Sequence, residues 1–159
     1  MLAEPYRKVE PHPFLIANRL KKASYVSLQS SLAYHGLIPE SVPTVMSVTT
    51  GRPERISTKM GGFVFKHVKK PLFYGFRAVE VAPSQSAFVA LPEKALLDLI
   101  YLTPRADTEG YLRELRVENL DRFDRPLLLE MARSSGSPKL IRAARRFVRM
   151  TGGEGHKEP

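Results

Sequence analysis

The chain has 159 residues, of which 43% are hydrophobic, and it carries a net charge of +9 and no cysteine. This length suffices for one domain with a proper core and leaves little room for a second. The lack of cysteine excludes disulfides, thiolate metal sites and a cysteine nucleophile. No apolar run approaches the roughly 18 to 20 residues of a membrane span, and no secretory signal is visible, so we expect a soluble, cytoplasmic protein.

The positive charge predicts an acidic partner, either nucleic acid or an acidic protein surface. The alternative from composition alone is that the charge serves only solubility.

The N-terminal segment 1–12 is polar and interrupted by prolines, which predicts a tail or a linker remnant. A first helix is then expected from Pro13 to the cations at 19–22, which suit the carbonyl end of a helix. A second helix is expected to be capped by Ser27 and to end at Gly36, because glycine takes the left-handed conformation cheaply.

The middle of the chain is expected to be extended. β-branched and alternating apolar residues predict short strands at 45–50, 55–58, 63–68, 72–76, 79–82 and 87–90. We therefore predict an α+β fold, in which a mixed, mostly antiparallel sheet of five to six short strands packs with helices.

The segment 91–102 is strongly apolar between two prolines and predicts a core helix. Lys94 and Asp98 lie four residues apart on it, and we expect them to form a weak pair on a solvated stripe. A metal or acid–base pair of Glu93 and Asp98 is rejected, because a spacing of five separates the two carboxylates around the helix.

The last third of the chain is predicted to be helical. Asp107 and Asp124 are placed to cap two short helices, and Ser137-Pro138 is expected to open a final helix that ends at Met150. A disordered polar tail is expected at 152–159.

Two basic clusters are candidate binding sites for a partner or for nucleic acid. The first is one face of the final helix, with arginines at i, i+3, i+4 and i+7: Arg142, Arg145, Arg146 and Arg149. The second lies at a strand end and the loop after it: Lys66, His67, Lys69 and Lys70. The alternatives are a solvated amphipathic face for the first cluster and lysine protection of an edge strand for the second.

No catalytic or cofactor motif accompanies these clusters. The chain lacks the acid-x-Lys pattern of metal-dependent nucleases, a phosphate-binding glycine loop and a His-Glu-x-x-His motif. We therefore predict that the protein is not an enzyme and has no catalytic residue, metal or cofactor.

Three segments in order carry a resemblance to a known family. They are the stretch 25–40, which begins Tyr-Val-Ser-Leu-Gln-Ser-Ser-Leu, the stretch 47–52, which reads Ser-Val-Thr-Thr-Gly-Arg, and the helix at 91–102. Together they resemble the antitoxin domain of the AbiEi family, over about 13 to 150. Those proteins belong to type IV toxin-antitoxin systems of phage defence by abortive infection, and their partner is a nucleotidyltransferase-like toxin of the AbiEii family.

The resemblance implies that residues 13–151 form an antitoxin-like domain that neutralises such a toxin. It also implies a contribution to transcriptional autoregulation, with promoter DNA as a second partner. Family members usually begin with a winged helix-turn-helix, and only 1–12 precede the domain here, so we expect a form without it. The alternative is a stand-alone basic nucleic-acid-binding module, with bases stacked on aromatics of the middle segments: Phe63, Phe65, Phe73 and Tyr74.

Overall fold

The computed structural model describes residues 10–40 and 42–157, and side chains as far as 152. The helices are α1 (Pro13–Leu20), α2 (Leu28–Tyr34), α3 (Pro92–Leu102), α4 (Glu109–Glu114), α5 (Arg125–Ser135) and α6 (Pro138–Lys157). The strands are β1 (Ser24–Val26), β2 (Val45–Thr49), β3 (Glu54–Thr58), β4 (Gly61–His67), β5 (Phe76–Ala82) and β6 (Gln85–Ala90). The predicted α+β class and the helical last third are confirmed. None of the described helices is both long and apolar enough to cross a membrane.

The six strands form one mixed sheet in the order β3-β4-β2-β1-β6-β5. Three neighbouring pairs are antiparallel, and two are parallel, β1 with β6 and β2 with β4. Strand β1 meets β6 at a single register position, Val26 with Val89. Beside it, the Asn18 side chain of α1 accepts the Phe88 N–H at 2.7 Å. Helix α1 therefore completes the edge of β6 that the short β1 leaves open.

Helices cover both faces of the sheet. Helix α1 packs on one face, over a cluster that includes Ala17, Phe63 and Phe65. Helices α2 and α3 cover the other face, and α5 and α6 pack outside α3. Every residue of α3 from Glu93 to Ile100 is buried, so the predicted core helix is confirmed.

The predicted strand at 72–76 is wrong, and β1 was not predicted. The chain instead forms a 3-10 turn at Lys70–Leu72, followed by Gly75 with φ +81°. A Cβ on Gly75 would lie 2.8 Å from Cγ of Lys94, so this close approach requires glycine. The three residues of β1 are too few to give a readable alternation.

One of the three predicted helix caps is confirmed, and in the other two the side chain binds a different partner. Asp124 accepts the Leu127 N–H at 3.0 Å, which confirms the predicted cap of α5. Ser27 makes no capping hydrogen bond and Asp107 does not cap α4, so those two predictions are wrong. Thr108 caps α4 instead, because the Asp107 carboxylate binds an arginine of α6.

Both predicted termini differ from the described structure where it can be compared. The backbone of Glu10 and His12 hydrogen-bonds the Gln85 side chain, so the end of the predicted 1–12 tail is fixed to β6. Helix α6 continues past Met150 to Lys157, because glycine weakens a helix by only about 1 kcal/mol and does not forbid it. Residues 1–9 and 158–159 of the predicted tails lie outside the described residues.

Shortening a side chain of α3 should destabilise the fold. Leu96 is fully buried and Leu99 is 5% exposed, so Leu96→Ala and Leu99→Ala should each lower the free energy of unfolding by about 2–5 kcal/mol. Leu20→Ala is the matched control, because Leu20 is 40% exposed. Urea unfolding measures all three variants, and midpoints equal to that of the parent for the two α3 variants would show that this helix is not central.

Candidate binding surface on the C-terminal helix

Helix α6 separates its two faces cleanly. Its buried face consists of Leu140, Ala143, Ala144 and Phe147, which pack in the core shared with α3 and α5. Because an α-helix repeats every 3.6 residues, the positions between them point away from the core. The four predicted arginines occupy those positions, and Arg142, Arg145 and Arg149 are exposed while Arg146 is half-buried.

The four arginines have different partners. Arg142 holds the Asp107 carboxylate through Nε at 3.0 Å and Nη2 at 2.8 Å. Arg146 donates from Nη1 to the Asp107 carbonyl at 3.1 Å. Arg145 and Arg149 make no hydrogen bond or ion pair with any side chain that the structure describes. One side of the face therefore anchors the loop before α4, whereas Arg145 and Arg149 take no part in that anchoring.

The arginine face also shapes the surface. A shallow cavity of about 420 Å³ is lined by the four arginines together with Pro138 and Ile141. A second cavity, of about 400 Å³, lies between α4 and α6, and Arg146 and Arg149 line it as well. The two cavities therefore adjoin at these two side chains.

The second cavity adds two arginines that the sequence did not single out. Arg113 and Arg116 line it from the α4 side and are both exposed. Each has one exposed acidic partner, Glu109 at 2.6 Å for Arg113 and Glu40 at 3.5 Å for Arg116. Their spacing of three residues could have indicated a shared helix face. Only the packing of α4 beside α6, however, brings them next to the arginines of α6. We call this set the arginine strip: Arg113, Arg116, Arg142, Arg145, Arg146 and Arg149.

The second predicted cluster is separate from the arginine strip. Lys66, Lys69 and Lys70 are exposed at the end of β4 and the following turn. Strand β4 lies between β3 and β2, so the interpretation of these lysines as protection for an edge strand is wrong. Within the described residues, no hydrogen bond or ion pair joins this cluster to the strip.

The aromatics proposed to stack bases are placed differently from each other. Phe63 and Phe65 are each 1% exposed, so the interpretation of these two as a stacking surface is wrong. Phe73 is half-buried against the Tyr25 ring, with centroids 5.1 Å apart. Tyr74 is also half-buried, and its hydroxyl donates to the Met131 carbonyl at 3.4 Å.

The charges of α3 are buried, which corrects the expectation of a solvated stripe. Lys94 and Asp98 are only 2% and 3% exposed and form an ion pair at 2.8 Å. Lys94 Nζ also donates to the Tyr25 hydroxyl at 2.8 Å and to the Leu72 carbonyl at 2.6 Å. An ammonium group has three protons, so every donor of Lys94 is used.

The Asp98 carboxylate is satisfied in the same way. Its Oδ2 accepts from the Tyr25 and Ser27 hydroxyls, both at 2.8 Å. Burial raises the pKa of Asp98, and the hydrogen bonds from Lys94, Ser27 and Tyr25 act in the opposite direction. Burial and the Asp98 charge raise the pKa of Tyr25, which keeps its phenol a proton donor. The donors of Lys94 and the carboxylate oxygens of Asp98 all have hydrogen-bond partners within the protein, which is the pattern of a structural network.

Glu93 lies apart from this network. Its Oε2 accepts the Asp124 N–H at 2.6 Å, next to the start of α5. Glu93 and Asp98 therefore bind different groups. Among the described residues, no group of three or more His, Cys, Asp or Glu is placed to hold a metal ion.

Searches of protein-family models, of curated proteins and of solved structures find no match to this chain.

Removing the cation of the buried pair should destabilise the protein strongly. Lys94→Met leaves Asp98 buried without its partner, and we expect a loss of about 3–5 kcal/mol at neutral pH. Without Lys94 the folded pKa of Asp98 lies further above its unfolded value. The cost of burying ionised Asp98 is absent below the pKa that Asp98 has in the unfolded chain, and it grows as the pH rises above that value. The loss of stability in the variant should therefore shrink towards a pH of about 4. Thermal unfolding at several pH values measures this, with exposed Lys66→Met as control, and a small, pH-independent loss would contradict the expectation.

The contact between Arg142 and Asp107 should be visible in a titration. The hydrogen bond from Arg142 holds the pKa of Asp107 below its usual value, so Arg142→Gln should raise that pKa. Folded protein gains stability from this group above the unfolded pKa and loses it as the pH falls through the folded pKa. Carboxyl NMR measures the shift, and Arg145→Gln is the control. An Asp107 titration identical in all three proteins would show that the contact is not formed in solution.

Proposed function

We propose that this chain is a non-enzymatic antitoxin domain that neutralises a nucleotidyltransferase-like toxin in the cytoplasm, and that the arginine strip docks on an acidic surface of that toxin. The identity of the partner comes from the resemblance to the AbiEi family. The observation that carries the choice of surface is the continuous strip of six arginines, two of which have no described partner. We propose a contribution to autoregulation at promoter DNA as a secondary role.

The composition of the strip supports a protein partner. Apolar side chains lie among the arginines, Ile141 and Pro138 in one cavity and Leu112 and Val117 in the other. Interfaces between proteins combine arginine with buried apolar anchors, whereas specific DNA binding needs polar side chains that reach base edges. Arginine itself can read guanine, but the described lining of the two cavities includes no Asn or Gln to read adenine, so we expect DNA bound here to be held mainly through its phosphates.

The buried charges support the non-enzymatic part of the proposal. A general acid or base must exchange a proton with substrate, and it must lie within reach of it. Asp98 and Lys94 instead hydrogen-bond each other. Asp98 also binds the Tyr25 and Ser27 hydroxyls, and Lys94 the Tyr25 hydroxyl and a backbone carbonyl. The strip contributes guanidinium groups, which bind anions and stay protonated.

Replacing the α6 arginines should weaken toxin binding more than DNA binding. In the variant Arg142→Gln/Arg145→Gln/Arg146→Gln/Arg149→Gln we expect a lower association rate with purified toxin, because exposed charges steer encounter. We expect the affinity for DNA to be low in the parent and to change little in the variant. If DNA is the partner, the slope of log affinity against log salt should instead flatten by about 0.9 for each lost phosphate contact.

A matched control separates the strip from net charge. Arg19→Gln/Arg52→Gln/Arg55→Gln/Arg77→Gln removes four exposed arginines elsewhere, on α1, β3, β5 and the turn before β3, and should leave toxin binding nearly unchanged. Binding is measured by surface-immobilised toxin and by promoter duplex over a salt series. If the quadruple variant binds both partners as the parent does, the strip is solvated surface and the proposed docking site is wrong.

A further inference from the structure

The groove between α4 and α6 has a composition that the proposed docking function does not require. Four arginines line it, Arg113 and Arg116 from α4 and its following loop, and Arg146 and Arg149 from α6. Among the described residues of its lining Glu109 alone is acidic, and it is held by Arg113 at 2.6 Å. The groove therefore concentrates positive charge in a concave site rather than on a flat face.

The remaining lining is apolar. Leu112 and Phe147 are buried beneath it, and Val117, Leu120 and Met150 are half-buried and leave part of their surface open. A volume of about 400 Å³ lies in the range of small-molecule sites. The groove thus offers both forked donors for phosphates and an apolar wall for a flat ring.

The arginines keep donors for a ligand. Among its described contacts Arg146 uses only Nη1, on the Asp107 carbonyl at 3.1 Å, so its other donors can face the groove while that contact stays in place. Arg149 has no partner among the described side chains, and the acidic partners of Arg113 and Arg116 are about half exposed. Exposed pairs of this kind contribute little to stability and exchange with other anions. A phosphate that binds several guanidinium groups at once competes well with one exposed carboxylate.

We propose that the α4–α6 groove binds a nucleoside polyphosphate, with the phosphates on Arg113, Arg116, Arg146 and Arg149 and the base against Val117 and Leu120. An acidic peptide offers the same charge, but its carboxylates are spread along a chain, whereas a triphosphate places its charge within the span of one groove. The proposal does not depend on the toxin, because it concerns a small molecule; Arg146 and Arg149 belong to both proposed sites, whereas Arg113 and Arg116 approach the groove from the α4 side.

The test is calorimetric titration of the purified full chain with ATP, tripolyphosphate and adenosine. We expect ATP to bind, tripolyphosphate to bind more weakly and adenosine not to bind measurably. Arg113→Gln/Arg116→Gln should weaken ATP and tripolyphosphate by about tenfold or more, because each lost contact is a charge-assisted hydrogen bond. Val117→Ser should weaken ATP and spare tripolyphosphate, because it changes only the apolar wall.

The control is Arg19→Gln/Arg55→Gln, which removes the same charge elsewhere and should bind ATP as the parent does. Circular dichroism and thermal midpoints show that each variant is folded. The proposal is wrong if ATP does not bind the parent, if the groove and control double variants lose the same affinity, or if a polyglutamate peptide displaces ATP and binds more tightly. Toxin binding by Arg113→Gln/Arg116→Gln, measured in parallel, separates a failure of this proposal from a failure of the docking proposal.

Discussion

The buried ion pair of Lys94 and Asp98 fixes how the layers of this protein meet. Lys94 reaches the carbonyl of Leu72 in the turn before β5, and Asp98 receives the hydroxyls of Tyr25 and Ser27 from β1 and its end. A charge taken out of water costs several kcal/mol unless its partners are in place. Helix α3 can therefore occupy only the position in which β1 and this turn are both present, which couples the sheet to the helices.

That coupling extends to the arginine strip. Glu93, next to Lys94, accepts the N–H of Asp124 and so holds the start of α5, and Tyr74 reaches the Met131 carbonyl in the same helix. Helix α6 packs on α5 and α3 and presents its arginines outward. The buried face of α6 thus sets the position of these arginines. The side chains of Arg145 and Arg149 make no described contact that stabilises the fold. A surface whose side chains do not support the fold is free to bind and release a partner.

The sequence predicted the elements whose signals are local. The apolar run of α3, the cap at Asp124 and the spacing of arginines on α6 each involve a few neighbouring residues, and the structure confirms them. The errors involve partners distant in sequence. Ser27 has the local sequence of a cap, and nothing local shows that its hydroxyl donates to Asp98. The helical spacing of Lys94 and Asp98 fits an exposed pair as well as a buried one. Likewise Arg113 and Arg116 join the strip only through the packing of α4 beside α6.

Asp107 shows how the strip itself is divided. Its carboxylate and its carbonyl take Arg142 and Arg146, so these two arginines close the loop before α4 against α6. This places α4, and with it Arg113 and Arg116, beside Arg149. Exposed ion pairs contribute about 0–1 kcal/mol each, so Glu109 and Glu40 hold Arg113 and Arg116 only loosely. Two of the six arginines, Arg142 and Arg146, therefore organise the groove, and the other four are held loosely or have no partner among the described side chains.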